Sequence, residues 1–308
     1  MKTNTIFILD KSGSMSIVAN STIRNFNEQI QQMKENSKDQ EIFCSLVTFN
    51  GDVYEHIWNE NVSLIEEADE NTYRTLGSTA LYDAIGYCVN KAKETYKNED
   101  PKEIAHLVYI LSDGEENASK KYTQQTVSSL LKSCDEEGNW TFCYMGCSKE
   151  QVERAAKNIN IPLTNCAVWS NANEQCADWT LRKSTSQLDG YFKGRASGQT
   201  ATKSLYSTQG MADFTEGIDM TPTLDSCDQV LSQAIPNSWN QNQTFGIGIS
   251  NSSVSAAGSS VCATSSSVGV SSNLNSVCKG LDTSSDCSNR KNNTKKSDIF
   301  LKSKKAEV

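Results

Sequence analysis

Two uninterrupted apolar runs set the tightest limit on how this chain can fold. Residues 5–9 read TIFIL and residues 105–111 read AHLVYIL, and neither run alternates polar with apolar positions. A strand that is apolar at consecutive positions has to be covered on both faces, as parallel strands are when they lie between two layers of helices. The chain therefore needs enough helices to cover both sides of a sheet.

Segments with helical spacing separate these runs from two further strand-like stretches, EIFCSLVTF and NWTFCYMGC. The Asn50-Gly51 pair predicts a hairpin turn into one antiparallel edge strand. Residues 1–196 then read β-α-β-β-α-β-α-β-α-β-α, which predicts an α/β fold with a doubly wound, mostly parallel sheet and helices on both faces. We expect the last helix over residues 174–193. The apolar stripes that face the sheet are Ile23, Phe26, Ile30 and Met33 in one helix, and Leu81, Ile85, Cys88, Val89 and Ala92 in another. Three tryptophans, Trp140, Trp169 and Trp179, are expected at core or helix-packing positions.

The composition changes along the second half of the chain. We predict a poorly defined, weakly docked extension over residues 197–249 and a Ser-rich disordered region over residues 250–308, because small polar side chains bury too little apolar area to order the chain. Residues 288–308 hold seven Lys or Arg against two acids, a charge of +5, so the overall −8 leaves −13 for the rest. That acidic body should repel nucleic acid and anionic membrane, which we therefore exclude as partners of the folded domain.

The start of the chain predicts its location. The apolar residues before Asp10 are too few for a secretory signal, and no uncharged run of 18 or more apolar residues occurs. We therefore expect a cytoplasmic protein that does not span a membrane. Its cysteines should be reduced thiols.

Oxygen-bearing side chains follow the first apolar run at short spacing, in the stretch LDKSGSM. Asp10 supplies a carboxylate, and a tight turn at Gly13 would point the hydroxyls of Ser12 and Ser14 into the same space. In an open parallel sheet, ligands gather at the carboxyl ends of the strands, where this stretch lies. Hard oxygen ligands in a small cage suit Mg²⁺ or Mn²⁺.

Two more loops end in similar residues: Thr79 in LGSTALYDAI and Asp113 in YILSDGEEN. Taken alone, Thr79 could be a helix cap and Asp113 the first residue of a turn. Together with Asp10, Ser12 and Ser14, they match the metal-ion-dependent adhesion site (MIDAS) of the von Willebrand factor type A domain, written Asp-x-Ser-x-Ser followed by a distant Thr and a distant Asp. Residues 3–196 resemble the small bacterial and phage-type members of that family.

The resemblance implies a Rossmann-like sheet, a site and a function. In the family, residues matching Asp10, Ser12, Ser14 and Thr79 hold the cation, and the one matching Asp113 acts directly or through water. A protein partner then supplies an Asp or Glu carboxylate to the open coordination position. We therefore expect a non-enzymatic, metal-dependent protein-interaction module that binds Mg²⁺ or Mn²⁺. Asp83, one helical turn after Thr79, could orient the metal ligands or favour the start of its helix through the helix dipole.

Two alternatives remain open at this point. A Mg²⁺-dependent phosphotransferase of the haloacid-dehalogenase type also places an Asp after its first strand, but it needs a second Asp where this chain has Ser12. A Ser-His-Asp hydrolase is not favoured, because the two histidines of the chain are His56, on the hairpin strand, and His106, inside an apolar strand, and neither has a convincing Ser or Cys partner. A scaffold that binds partners without metal is the other alternative.

Overall fold

The computed structural model describes residues 1–217 and 304–306. Its elements, in chain order, are β1 (Lys2–Asp10), α1 (Ala19–Asn36), β2 (Glu41–Phe49), β3 (Val53–Asn61), α2 (Leu81–Thr95), β4 (Ile104–Leu111), α3 (Gln124–Glu137), β5 (Trp140–Gly146), α4 (Lys149–Ile159), β6 (Cys166–Val168), α5 (Glu174–Ala196), β7 (Ala212–Asp213) and β8 (Lys304–Lys305). Short 3-10 helices lie at Gly13–Val18, Val62–Leu64 and Leu163–Asn165. Through α5 this order is the one that the sequence predicts.

The strands form a single sheet in the order β7-β6-β5-β4-β1-β2-β3-β8. The pairs from β7 to β2 are all parallel, and β3 pairs with β2 antiparallel through the predicted hairpin. The predicted doubly wound, mostly parallel fold with an antiparallel hairpin strand is confirmed. One detail differs: β8 pairs with the outer side of β3, so the hairpin strand is not the outermost strand of the sheet.

Alternate residues of β1 enter two separate cores. Phe7 packs with α1 and α5 on one face of the sheet, and Ile8 packs with α2, α3 and α4 on the other. Both side chains are almost fully buried, and so is every residue of β4. Burial on both faces explains why the two apolar runs show no alternation.

Helix α5 runs three residues beyond its predicted end at 193. Arg195 stabilises this last turn because its fully buried guanidinium donates hydrogen bonds to the carbonyl of Lys2 and the hydroxyl of Thr3, at 3.0 and 3.2 Å. The chain then returns to the core, where three apolar side chains are buried: Leu205, Tyr206 and Phe214. The boundary at residue 196 stays a prediction. Residues 218–303 and 307–308 of the predicted extension and disordered region lie outside the described residues.

The three tryptophans differ in exposure. Trp140 and Trp169 are buried, as predicted. The prediction for Trp179 is wrong, because this side chain is 42% exposed on α5 and carries the ammonium of Lys183 over its ring, 3.6 Å from the centroid. Helical spacing placed Trp179 on α5 but could not show which face of the helix it occupies.

Among the residues that the structure describes, no helix is long and apolar enough to cross a membrane.

Candidate metal centre

Three loops meet at the carboxyl ends of β1 and β4, which are neighbouring parallel strands. Asp10 is the last residue of β1, and Asp113 follows the end of β4 by two positions. The amide of Gly13 donates a 3.1 Å hydrogen bond to the carbonyl of Gly77. This contact brings the third loop, which carries Thr79, to the same edge of the sheet.

The carboxylate of Asp10 is fully buried at this edge. Its Oδ1 accepts a 2.7 Å hydrogen bond from the amide of Ser12, and its Oδ2 accepts a 2.6 Å bond from the hydroxyl of Ser112. Burial nevertheless raises the pKa of Asp10 to about 6. In the described part of the chain no cationic side chain pairs with it, since the adjacent Lys11 places its ammonium 3.5 Å from the centroid of the Tyr54 ring. At neutral pH Asp10 is thus a buried negative charge without a counter-ion.

A chain of hydrogen bonds connects the serines to the second acid. The hydroxyls of Ser12 and Ser14 lie 3.1 Å apart, and Ser14 donates to Oδ1 of Asp113 at 2.6 Å. The other oxygen of that carboxylate accepts a 3.2 Å bond from the side-chain amide of Asn171. Four oxygen-bearing groups therefore surround one small space, with Asp10 at its buried end.

Thr79 faces the same space from the third loop. A Cβ added to Gly114 would lie 3.1 Å from the hydroxyl oxygen of Thr79 and 3.7 Å from Oδ2 of Asp10. A side chain at this position would fill the gap between Thr79 and Asp10, so a glycine leaves that space open. The backbone of Thr79 is fixed on both sides, because its amide donates to the side chain of Asn117 and its carbonyl accepts from the amides of Asn117 and Ala118.

Asp83 braces the loop that follows Asp113. Its carboxylate accepts hydrogen bonds of 2.8 to 3.0 Å from three consecutive backbone amides, those of Lys120, Lys121 and Tyr122. Asp83 lies in the first turn of α2, where the sequence suggested that it could favour the start of the helix. Its bonds to the three amides are a further role that the sequence did not suggest, because they fix the course of a distant loop.

All five predicted ligands, Asp10, Ser12, Ser14, Thr79 and Asp113, are brought to this one edge of the sheet. Sequence reasoning missed four residues that position them: Ser112, Gly114, Asn117 and Asn171. Ser112 and Gly114 flank Asp113 in the stretch LSDGEEN, so their closeness to a predicted ligand was the available signal. Asn117 ends the same stretch, but nothing in the sequence pairs it with Thr79, and for Asn171 the sequence offers no comparable signal.

The donor set determines which ions fit. Two carboxylates and three hydroxyls are hard ligands, which suit Mg²⁺ or Mn²⁺ better than a soft metal. Residues 1–217 and 304–306 contain no cluster of three or more His, Cys, Asp or Glu side chains that could hold a metal ion. A cation at this edge would therefore depend on the hydroxyls, with Asp10 as its buried counter-charge.

Both histidines are occupied elsewhere. His106 stacks on Trp140 with the ring centroids 3.9 Å apart, and burial lowers its pKa to about 3. His56 bonds to the hydroxyl of Thr48 at 2.7 Å, and burial lowers its pKa to about 4. Neither histidine is placed to take a proton from a group bound beside Asp10 and Asp113.

Comparison with known proteins identifies a family. The family model for the von Willebrand factor type A domain matches residues 4–178. No curated protein matches the chain.

Several solved structures are similar to the chain at low identity. Proximal thread matrix protein 1 from the mussel byssus is 16% identical, with 62% of this chain and 46% of that chain covered and a TM-score of 0.39. The PilB minor pilin from Streptococcus sanguinis is 12% identical, with 62% of each chain covered and a TM-score of 0.44. The manganese-loaded TRAP protein of Plasmodium vivax is 15% identical, with 57% of this chain and 70% of that chain covered and a TM-score of 0.40. The chain thus spans less than two thirds of the mussel protein and of the pilin.

Proposed function

This chain belongs to the von Willebrand factor type A family, and on that premise we propose that it is a protein-interaction module in which a divalent cation binds a carboxylate of a partner protein. Asp10, Ser12, Ser14, Thr79 and Asp113 would hold the cation, and Mg²⁺ or Mn²⁺ fits these ligands best. An Asp or Glu carboxylate of the partner would bind the cation and complete its coordination. We propose no catalytic step.

The observation that carries this proposal is the buried charge of Asp10. A fully buried carboxylate without a cationic neighbour destabilises the folded protein. A bound cation would remove that penalty, and the hydroxyls of Ser12, Ser14 and Thr79 would add neutral ligands. Among the described residues, Asp10 and Asp113 are the carboxylates at this space, so a divalent ion would be formally neutralised there, and an open coordination position would let it accept a third carboxylate from a partner.

The surroundings of the site support a protein as the partner. Ile17 is 60% exposed in the 3-10 helix that contains Ser14, and Leu76 is 74% exposed next to Gly77. Large apolar side chains that face solvent beside a polar site are typical of interaction surfaces. We therefore propose that the partner's carboxylate lies next to an apolar side chain.

The charge balance favours metal-dependent binding over a metal-independent scaffold. The chain carries 37 acids against 29 basic residues, so an acidic segment of a partner would be repelled by the protein without a cation. The two alternatives, a metal-independent scaffold and a phosphotransferase, predict different experimental results. A metal-independent scaffold should bind equally well in chelator, and a phosphotransferase should hydrolyse phosphate esters with Mg²⁺.

A capture experiment on the full chain tests this proposal. The immobilised protein is incubated with lysate in Mg²⁺ or in EDTA, and captured proteins are quantified by mass spectrometry. We expect a partner that is enriched at least about tenfold in Mg²⁺, is lost with Asp10→Asn and is reduced by Leu76→Ser. The matched control is Leu163→Ser, since Leu163 is also exposed, at 40%, but precedes β6 and so lies at the opposite end of the sheet.

Two results would contradict the proposal. One is capture that is unchanged by EDTA and by Asp10→Asn, which would favour the metal-independent scaffold. The other is Mg²⁺-dependent phosphatase turnover that disappears in Asp10→Asn, which would favour the phosphotransferase.

A further inference from the structure

The outer edge of β3 carries a short strand from the far end of the chain. In β8, Lys305 lies opposite Tyr54, and the amide of the next residue, Ala306, donates a 2.9 Å hydrogen bond to the carbonyl of Val53. The side chain of Ala306 is partly buried against the core on the α2 side of the sheet. Backbone pairing and apolar contact thus hold this segment together.

Charge also favours this pairing. The ammonium of Lys305 forms a 2.9 Å ion pair with Asp52, which lies in the turn between β2 and β3. The last 21 residues of the chain carry seven basic residues against two acids, whereas the rest of the chain is strongly acidic. A basic segment is therefore electrostatically matched to this edge.

The turn that contains Asp52 is connected to the loop of Thr79. The amide of Asp52 donates a 3.1 Å bond to the side chain of Asn50, whose own side-chain amide donates to the carbonyl of Leu76 at 2.8 Å. The carbonyl of Asn50 accepts a 2.6 Å bond from the amide of Ala80. Asn50 thus holds both ends of the loop that carries Thr79.

We propose that docking of the chain's own C-terminal segment, residues 304–306, on the edge of β3 orders the Thr79 loop through Asp52 and Asn50. An added strand supplies backbone hydrogen bonds to an otherwise open edge, and fixing the turn reduces the conformational freedom of the loop bonded to it. The effect on metal affinity rests on the proposed function, whereas the docking and the loop ordering do not.

The test uses hydrogen exchange of the full chain in chelator, with Ala306→Pro as the variant. Proline removes the amide that donates to Val53 and is compatible with extended backbone. The matched control is Ala306→Ser, which keeps the amide and nearly the same volume. We expect exchange at residues 53–57 and 76–80 to be about fivefold faster in Ala306→Pro, and unchanged in Ala306→Ser. Equal exchange rates in Ala306→Pro and Ala306→Ser would overturn the proposal, whether both rates are those of the wild type or both are faster.

A charge exchange gives a second, independent measurement. Lys305→Asp should increase exchange at both segments, and adding Asp52→Lys should restore protection because the ion pair is re-formed with reversed signs. No change with Lys305→Asp, or no recovery in the double variant, would overturn the proposed role of this pair. Docking is proposed within one chain, so a dimeric wild type that becomes monomeric with Ala306→Pro would also overturn it.

Metal affinity separates this inference from the proposed function. Calorimetric titration with Mn²⁺ should give about threefold weaker binding for Ala306→Pro than for Ala306→Ser. If both variants bind equally well, the coupling is wrong and the metal site stands. If neither the variants nor the wild type bind Mn²⁺, the proposed function and the metal coupling both fail, and the exchange data decide the docking alone.

Discussion

Replacing Asp10 with Asn is expected to abolish Mg²⁺ and Mn²⁺ binding and, at the same time, to stabilise the metal-free protein. The amide keeps the shape of the side chain and an oxygen that can accept from Ser12 or Ser112, so the fold should survive. It removes the charge that a cation would neutralise. We expect at least about a hundredfold loss of affinity, because a direct carboxylate ligand contributes several kcal/mol to binding of a divalent ion.

The stabilisation follows from the pKa of Asp10, which burial raises from 3.8 to about 6. An acid whose pKa rises on folding favours the protonated form in the native state. The metal-free protein should therefore lose stability as the pH rises from about 4 to about 6 and then change no further through this group, a total loss of up to about 3 kcal/mol. Asp10→Asn should remove that part of the pH dependence and be more stable than the wild type at pH 7 in EDTA.

Urea denaturation at pH 4, 5, 6 and 7, with EDTA or with Mn²⁺, measures these effects. Mn²⁺ at a hundredfold excess over the dissociation constant should stabilise the wild type by about 2.7 kcal/mol and leave Asp10→Asn unchanged. Glu66→Gln is the control for loss of one acid, since Glu66 is exposed on the surface. A variant that binds Mn²⁺ as tightly as the wild type would show that the Asp10 stretch is a turn and nothing more.

Asp83→Ala should give the second large effect, a loss of about 2 to 4 kcal/mol in the free energy of unfolding. The substitution leaves three backbone amides, those of residues 120–122, without their acceptor, and Asp83 itself is only 6% exposed. The loop after Asp113 should then lose its fixed course, so Mn²⁺ affinity should also fall.

Asp83→Asn is the matched control, because its one remaining carbonyl oxygen can still accept from part of the set. We expect it to lie between the wild type and Asp83→Ala in urea denaturation. A stability of Asp83→Ala within about 0.5 kcal/mol of the wild type would mean that water replaces the carboxylate and that the loop needs no brace.

Most of the fold was predictable because it depends on patterns within short stretches of sequence. The runs at residues 5–9 and 105–111 required two covering layers, and the helical stripes between the strands supplied them. The hairpin followed from Asn50-Gly51, whose turn chemistry is equally local. The five site residues could be listed because they lie in loops at the ends of predicted elements and together match the motif of the family that the chain resembles.

The rest depends on contacts between distant segments. Asn117 supports Thr79 across 38 positions, and Asn171 supports Asp113 across 58. A single polar residue in a loop gives no sign of such a partner. The pairing of β8 with β3 was also unpredictable, because two lysines and an alanine carry neither strand periodicity nor an apolar run. Trp179 shows the same limit for helices, since helical spacing placed it on α5 without showing that its side chain faces solvent.

The most direct test of the central claim is the water relaxation rate of the Mn²⁺-loaded full chain, measured during titration with acetate. A cation held by Asp10, Ser12, Ser14, Thr79 and Asp113 with an open position should bind exchangeable water, and acetate, as a minimal partner carboxylate, should displace it. We predict that acetate lowers the relaxation enhancement in the wild type, and that Asp10→Asn shows no enhancement at all. A bound Mn²⁺ whose relaxation enhancement is insensitive to acetate, or an enhancement that persists in Asp10→Asn, would contradict the claim.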